Sequence, residues 1–164
     1  MKKHKVAVVI VAAGRGERAK RAGESDKGPK QYRQIGGEAI ITHTVKRFCN
    51  HPSVDKVIPV IHQDDDGLYL SALASYQHNK LSPPATGGAS RQGSVYNGLA
   101  ALKAEGVDYV LVHDGVRPFV SDETIERVIV GCKDLTLSYL PLPLLIRLNV
   151  SCLTAAPIRL SAKQ

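Results

Sequence analysis

The chain has 164 residues, 43% apolar and 23% charged, which is ordinary globular composition with enough length for one packed core. That balance excludes a disordered, collagen-like or coiled-coil protein. A net charge of +7 suggests an acidic partner, but the chain has no Trp, two Phe and six Tyr. The tyrosines are not interleaved with basic residues, so a nucleic-acid stacking surface is not expected.

Taken in chain order, Met1–Lys5 followed by the apolar run Val6–Ala13 mimics a short secretory signal. The run is β-branched, however, and feeds directly into Gly14-Arg15-Gly16-Glu17-Arg18, which better fits a buried first strand ending in a glycine loop. Ala39–Cys49 places Ile40, Ile41, Thr44, Val45 and Phe48 at helical spacing. Val54–His62 is a continuous β-branched stretch, as a buried parallel strand should be. Asp64–Gln77 is expected to be a helix opened by three acids that suit the positive N-terminal dipole. Ser90–Lys103 reads as a helix with Ser90 as cap and Val95, Leu99 and Leu102 on one face. Asp108–His113 is another buried strand, and Ser121-Asp122 opens a helix through Val130. Strands alternating with helices imply an α/β domain with a mostly parallel sheet. In such sheets ligands sit beyond the carboxyl ends of the strands, and those ends carry Ala12–Arg18, Gly87–Arg91 and Asp114–Pro118.

The cysteines, Cys49, Cys132 and Cys152, are odd in number and widely spaced. They give neither a disulfide framework nor metal-ligand spacing, which indicates a reducing compartment. No uninterrupted apolar stretch is long enough to span a membrane; the best, Leu135–Ile146, contains Pro141 and Pro143. A cytoplasmic protein is expected.

The first loop lacks the GK[ST] of a P-loop. It nearly matches the dinucleotide fingerprint as Gly14-x-Gly16-x-x-Ala19, but the second strand, with its expected acid, ends some 45 residues later at His62. What remains is physical. Small residues let backbone N–H groups approach a polyphosphate, and Arg15 and Arg18 add charge; the plain alternative is a tight βα turn. Lys27-Gly28-Pro29-Lys30 adds two cations at a proline-stiffened turn, suited to phosphoryl or nucleotidyl transfer, where positioning and charge neutralisation carry the chemistry. Alternatively they form a solvated basic surface. Thr86–Ser94 combines close-approach glycines with hydroxyls and Arg91 at a helix start; it suits a base edge or a sugar, or is simply a capped loop. Asp114, closing a buried strand, suits Mg²⁺ held against phosphate oxygens, or pairs with Arg117 as a structural turn. His113 reads as structural rather than as a general base.

Together AAGRGER (12–18), GPKQY (28–32), GGASRQGSV (87–95) and HDGVRPF (113–119) resemble, in order and spacing, the 2-C-methyl-D-erythritol 4-phosphate cytidylyltransferases of the non-mevalonate isoprenoid pathway. The resemblance covers about residues 5–131. It implies a Rossmann-like nucleotidyltransferase fold and a Mg²⁺-dependent enzyme that joins CTP to methylerythritol phosphate, a sugar-alcohol phosphate, and releases pyrophosphate. By the same resemblance Ala12, Ala13, Gly14 and Gly16 would line the CTP phosphates. Arg18 and Lys30 would stabilise the pentacoordinate α-phosphate. Gly88, Ala89, Arg91 and Ser94 would face the cytidine, with Gly115 and Arg117 also at the nucleotide site, and Asp114 would hold the metal. Segment Ala19–Pro29 is longer than in many relatives, so Arg15 or Arg21 competes with Arg18 for its role. Transfer to another acceptor such as ribitol 5-phosphate, or a non-catalytic nucleotide-binding protein, are the alternatives.

All 15 acids lie at or before Asp134, and the 30 residues after it hold only Arg147, Arg159 and Lys163 as charges. Nine leucines fall in those 30 residues against seven before them. The chain therefore divides into a nucleotidyltransferase core, 1–130, and an atypical leucine-rich tail, 131–164. In the tail the arm through which the resembled family forms homodimers, and that family's late site residues, are not recognisable. The tail reads as a different reading frame or aberrant end, or else as a divergent genuine segment. Weak CTP binding and little catalysis are expected of this chain.

Overall fold

The computed structural model describes residues 4–15, 28–133 and 146–149 of the chain. Its main sheet has strands β1 (Val6–Ala12), β4 (Lys56–Ile61), β5 (Ala85–Thr86), β6 (Tyr109–Asp114) and β7 (Ile146–Asn149) in the order β5-β4-β1-β6-β7. A two-stranded ribbon, β2 (Gln34–Ile35) and β3 (Glu38–Ala39), stands apart. The helices are α1 (Ile40–Cys49), α2 (Asp66–Ala72), α3 (Arg91–Ala101) and α4 (Asp122–Lys133).

β1 runs parallel to both neighbours, with Ala12 opposite Ile61 and Val11 opposite Asp114. Six of its seven residues are buried, which explains why its sequence is an apolar run and not an alternating one. The period of two still sorts its side chains. Val6, Val8, Ile10 and Ala12 join α1 and α4 in one core, around Ile41, Phe48, Ile125 and Ile129. Ala7 and Val9 face the other layer, where α3 contributes Leu99 and its C-cap residue Leu102 follows. Each large side chain fully buried here stabilises the fold by about 1.5–3 kcal/mol. β7 pairs antiparallel with β6, so the sheet is mostly but not wholly parallel.

Pro59 lies within β4, opposite Ile10 of β1, although proline cannot donate to a ladder. The N–H of Val57, two residues earlier, donates outward to Lys80 O at 2.8 Å. Alternation puts the Pro59 nitrogen on that same outer side, so the pairing with β1 loses no donor.

The helix expected over Asp64–Gln77 is shorter. A 3₁₀ turn, Gln63–Asp65, precedes α2, which stops at Ala72. The Ala72 carbonyl accepts the Thr42 hydroxyl at 2.8 Å, and the Tyr76 N–H, which would have continued the helix, donates instead to Leu73 O at 2.9 Å. α4 runs three residues past the expected Val130.

From β1 the chain builds β4 and β5 on one side, then returns to place β6 on the other. The crossovers diverge at β1, and a doubly wound sheet opens a ligand crevice at such a switch, beyond the carboxyl ends.

Candidate functional site

Three loops meet at this switch because the residues there are small. A Cβ on Gly115 would stand 2.8 Å from the Ala12 Cβ and 3.3 Å from Val11 O, and one on Gly87 would overlap the Ala13 Cβ. Backbone bonds lock the contacts: Gly115 N–H donates to Val11 O at 2.8 Å and Gly87 N–H to Ile61 O at 2.7 Å. Ala12, Ala13, Gly14, Gly88 and Gly115, all singled out in the sequence, are thus brought together, with Gly14 exposed at the loop start. Gly16 and Arg18 lie outside the described residues.

The second loop is shaped by two serines. Ser90 caps α3 by accepting the Gly93 N–H at 3.0 Å. Ser94 is buried; its hydroxyl donates to Ser90 O at 3.0 Å and accepts the Gly88 N–H at 3.1 Å. The Ser94 hydroxyl therefore holds the Gly88 backbone in place, and Ala89 is left exposed at the tip.

Asp114, at the end of β6, is bridged by two arginines. Its Oδ1 lies 3.0 Å from Arg91 Nη2 and its Oδ2 3.4 Å from Arg117 Nε. The expected turn pairing with Arg117 is present, and Arg91 adds a link across to the second loop. Behind this loop the Thr44 hydroxyl donates to Gly115 O at 3.0 Å. His113 is buried, its Nε2–H directed at Arg117 O at 2.9 Å, and burial lowers its pKa; the structural reading of His113 fits. One carboxylate is enough for Mg²⁺, a hard cation that takes one or two carboxylates and completes its shell with waters and phosphate oxygens, but both Asp114 oxygens face arginines here, so the cation would have to displace one of them. Among the described residues no group of three or more His, Cys, Asp or Glu could hold a metal by itself.

Lys30 begins a 3₁₀ turn, Lys30–Tyr32, entered through Gly28 at φ +71° and Pro29; only glycine adopts the first conformation at low cost. Lys30 is exposed and makes no ion pair with another described residue. Arg15 is the opposite case. Its guanidinium lies 2.9 Å from Asp65 Oδ1, 3.1 Å from Asp64 Oδ2 and 2.6 Å from His62 Nδ1. Sequence reasoning missed Asp65 and Gln31. Asp65 is fully buried, and Gln31, the buried residue of GPKQY, donates to Ala12 O at 2.6 Å and Gly14 O at 3.3 Å. The available signal was Gln31 itself, a polar residue directly after the cation.

A separate concavity of about 380 Å³ lies between α1 and the loop after β6, lined by Lys46, Arg47, His51 and Phe119 among others. Its cations are already paired, Lys46 with Glu38 at 2.5 Å and Arg47 with Asp122 at 3.0 Å, so it offers an anion little. Among the described residues no helix is long and apolar enough to cross a membrane.

A mostly parallel sheet with helices on both faces and glycine loops at its switch defines a Rossmann-like nucleotidyltransferase fold. The model of the 2-C-methyl-D-erythritol 4-phosphate cytidylyltransferase family matches residues 6–144, and the chain belongs to that family. It is 50% identical over 125 residues to the bifunctional enzyme IspD/IspF of Brucella anthropi and 48% identical over 128 residues to that of Bradyrhizobium diazoefficiens. These alignments cover 76% and 78% of this chain but 30% of each relative. Among solved structures it resembles 4-diphosphocytidyl-2C-methyl-D-erythritol synthase from Anaerococcus prevotii (TM-score 0.64, 26% identity) and the cytidylyltransferase of Francisella tularensis (TM-score 0.60, 30% identity). It covers 52% of each of those chains, which cover 80% and 79% of it. The chain thus spans about half the length of its solved relatives and less of its bifunctional ones.

Proposed function

We propose that this chain carries the CTP-binding core of a cytidylyltransferase that transfers CMP to 2-C-methyl-D-erythritol 4-phosphate in isoprenoid precursor synthesis. The observation that carries the reading is the convergence of Ala12–Gly14, Gly87–Gly88 and Gly115, without side-chain bulk, at the switch of the sheet. Such a site admits a nucleotide against bare backbone amides. Ala12, Ala13, Gly14 and Gly16 line the phosphates; Gly88, Ala89 and the loop held by Ser94 face the cytidine; Arg91, Gly115 and Arg117 border it.

In the reaction an acceptor phosphate oxygen attacks the α-phosphorus of CTP, a new P–O–P bond forms, the α–β bond breaks, and pyrophosphate leaves with its electron pair. No covalent enzyme intermediate is required. Arg18 and Lys30 stabilise the charge gathering on the α-phosphate, work that needs fixed cations rather than a titrating base. Asp114 is the residue that would hold Mg²⁺, which supplies further charge neutralisation when bound. We place the protein in the cytoplasm, with no nucleic-acid or membrane partner. Residues 131–164 are proposed as an atypical, leucine-rich end of the chain, although the family match runs to residue 144 and β7 joins the main sheet.

Calorimetry with CTP and Mg²⁺, followed by a pyrophosphate-release assay with methylerythritol phosphate and with ribitol 5-phosphate, tests this. The expected result is weak saturable CTP binding and little turnover by this chain. In a longer active version, release should occur with methylerythritol phosphate and be abolished by Lys30→Ala. A folded sample that leaves CTP unbound overturns the reading, and preference for ribitol 5-phosphate overturns the acceptor.

A further inference from the structure

Lys30 and the first loop are separated in sequence yet tied by one side chain. Gln31 has a single amide nitrogen with two hydrogens, and it faces three oxygens: Ala12 O at 2.6 Å, Gly14 O at 3.3 Å and Asp65 Oδ2 at 3.5 Å. The side chain and its bond to Ala12 O are buried, so water does not readily replace a lost donor there and the Ala12 carbonyl would be left unsatisfied. Lys30 is its neighbour on the same 3₁₀ turn. The peptide bond between them makes the place of the cation depend on the grip of Gln31. Behind Gln31 stands Asp65, fully buried, whose other oxygen is 2.9 Å from Arg15. Removing the cation would strand that carboxylate, a far larger penalty than the pair's net contribution.

We propose that Gln31, Asp65 and Arg15 are positioning residues that fix Lys30 against the Ala12–Arg15 loop, with Arg15 a strut and not a phosphate ligand. This rests on the nucleotide reading above. Two cations in one loop region thereby have opposite duties: Arg15 is neutralised by Asp64 and Asp65, while Lys30 is left exposed for a polyanion. A guanidinium held by two carboxylates has little charge to offer a phosphate.

The test is a pair of mutant cycles read by CTP titration in Mg²⁺, with urea melts to confirm folding. Lys30→Ala and Gln31→Met should each weaken CTP about tenfold, and the double variant should lose about tenfold, not a hundredfold, because a misplaced Lys30 has nothing left to lose. Arg15→Met should also weaken binding, and adding Asp65→Asn should restore most of it by removing the stranded charge. Additive losses in the first cycle, or no rescue in the second, would overturn the proposal; the second cycle keeps it open to test should Gln31→Met fail to fold. Wild-type protein that does not bind CTP would sink the nucleotide reading. The linkage itself is then read without nucleotide, from the amide resonances of Gly14 and Lys30. In Gln31→Met both should move, and a Lys30 amide that stays in place overturns the linkage.

Discussion

His113 shows how one buried side chain makes the site's frame pH-sensitive. Its Nε2–H is directed at Arg117 O, its ring meets Phe48 edge-on at 4.7 Å, and Nδ1 is buried with no hydrogen-bond partner among the described residues. Protonation would place an N–H where nothing accepts it. Burial accordingly lowers its pKa, and this outweighs the hydrogen bond to Arg117 O and the nearby Asp114 charge, which favour the protonated form. The unfolded chain, with an ordinary histidine near 6.5, binds more protons between that value and the depressed native one. Stability from this group is therefore intact above about pH 6.5, falls as the pH drops through that window, and levels off below it. Urea melts at pH 7.5 and pH 5 should show a loss for wild type that is smaller in His113→Gln, though the variant starts about 1–3 kcal/mol less stable. Equal pH losses would remove His113 as the cause. Cys49 is a quieter residue: burial pushes its thiol up to about 11, so it is an inert packing group at neutral pH.

At the scale of elements, what was legible in the sequence is what depends on near neighbours. The β-branched run of β1, the Ser90 cap and the apolar stripe of Val95, Leu99 and Leu102 are local patterns and all appear in the structure, although α3 stops at Ala101 and Leu102 is its cap. The early end of α2 was not legible, because it turns on a hydroxyl 30 residues away in Thr42. Gln31 and Asp65 escaped for the same reason: their partners are backbone and side-chain atoms 17 to 50 positions distant, and no periodicity encodes them. Gly98 is a further long-range case. It sits inside α3, where glycine costs about 1 kcal/mol against alanine, yet a Cβ there would stand 2.5 Å from Val9 Cγ1 and 2.9 Å from Val60 Cγ2. The helix lies so close to β1 and β4 because this position is bare. Gly98→Ala should therefore lower stability by about 1–2 kcal/mol net in urea melts, overpacking outweighing the propensity gain. A stabilised variant would show that α3 can lift off the sheet at little cost.

For the molecule as a whole, the charge asymmetry and the sheet order bear on the same edge. Without β7, β6 would be an outer strand beside the switch, presenting free N–H and C=O groups along Tyr109–Val112, the residues that β7 now pairs in antiparallel register. Open edges of that kind pair with other chains, and the short runs of β6, YVLV, are apolar and uncharged. An acid-free, leucine-rich segment is thus compatible with one modest structural task, covering β6, whatever its relation to the rest of the family. β5, at the other edge, is only two residues long, and a short edge strand is a poor template, so the two edges are not equivalent. A chain ended after Lys133 should keep its core helices by circular dichroism but associate as concentration rises, in sedimentation velocity at low salt. Lysine placed at Val110 or Val112 would not be a fair control, since both are fully buried. The better comparison is the intact chain at matched concentration, which should remain the smaller species. Equal sedimentation of the two would mean that β7 contributes nothing to guarding that edge.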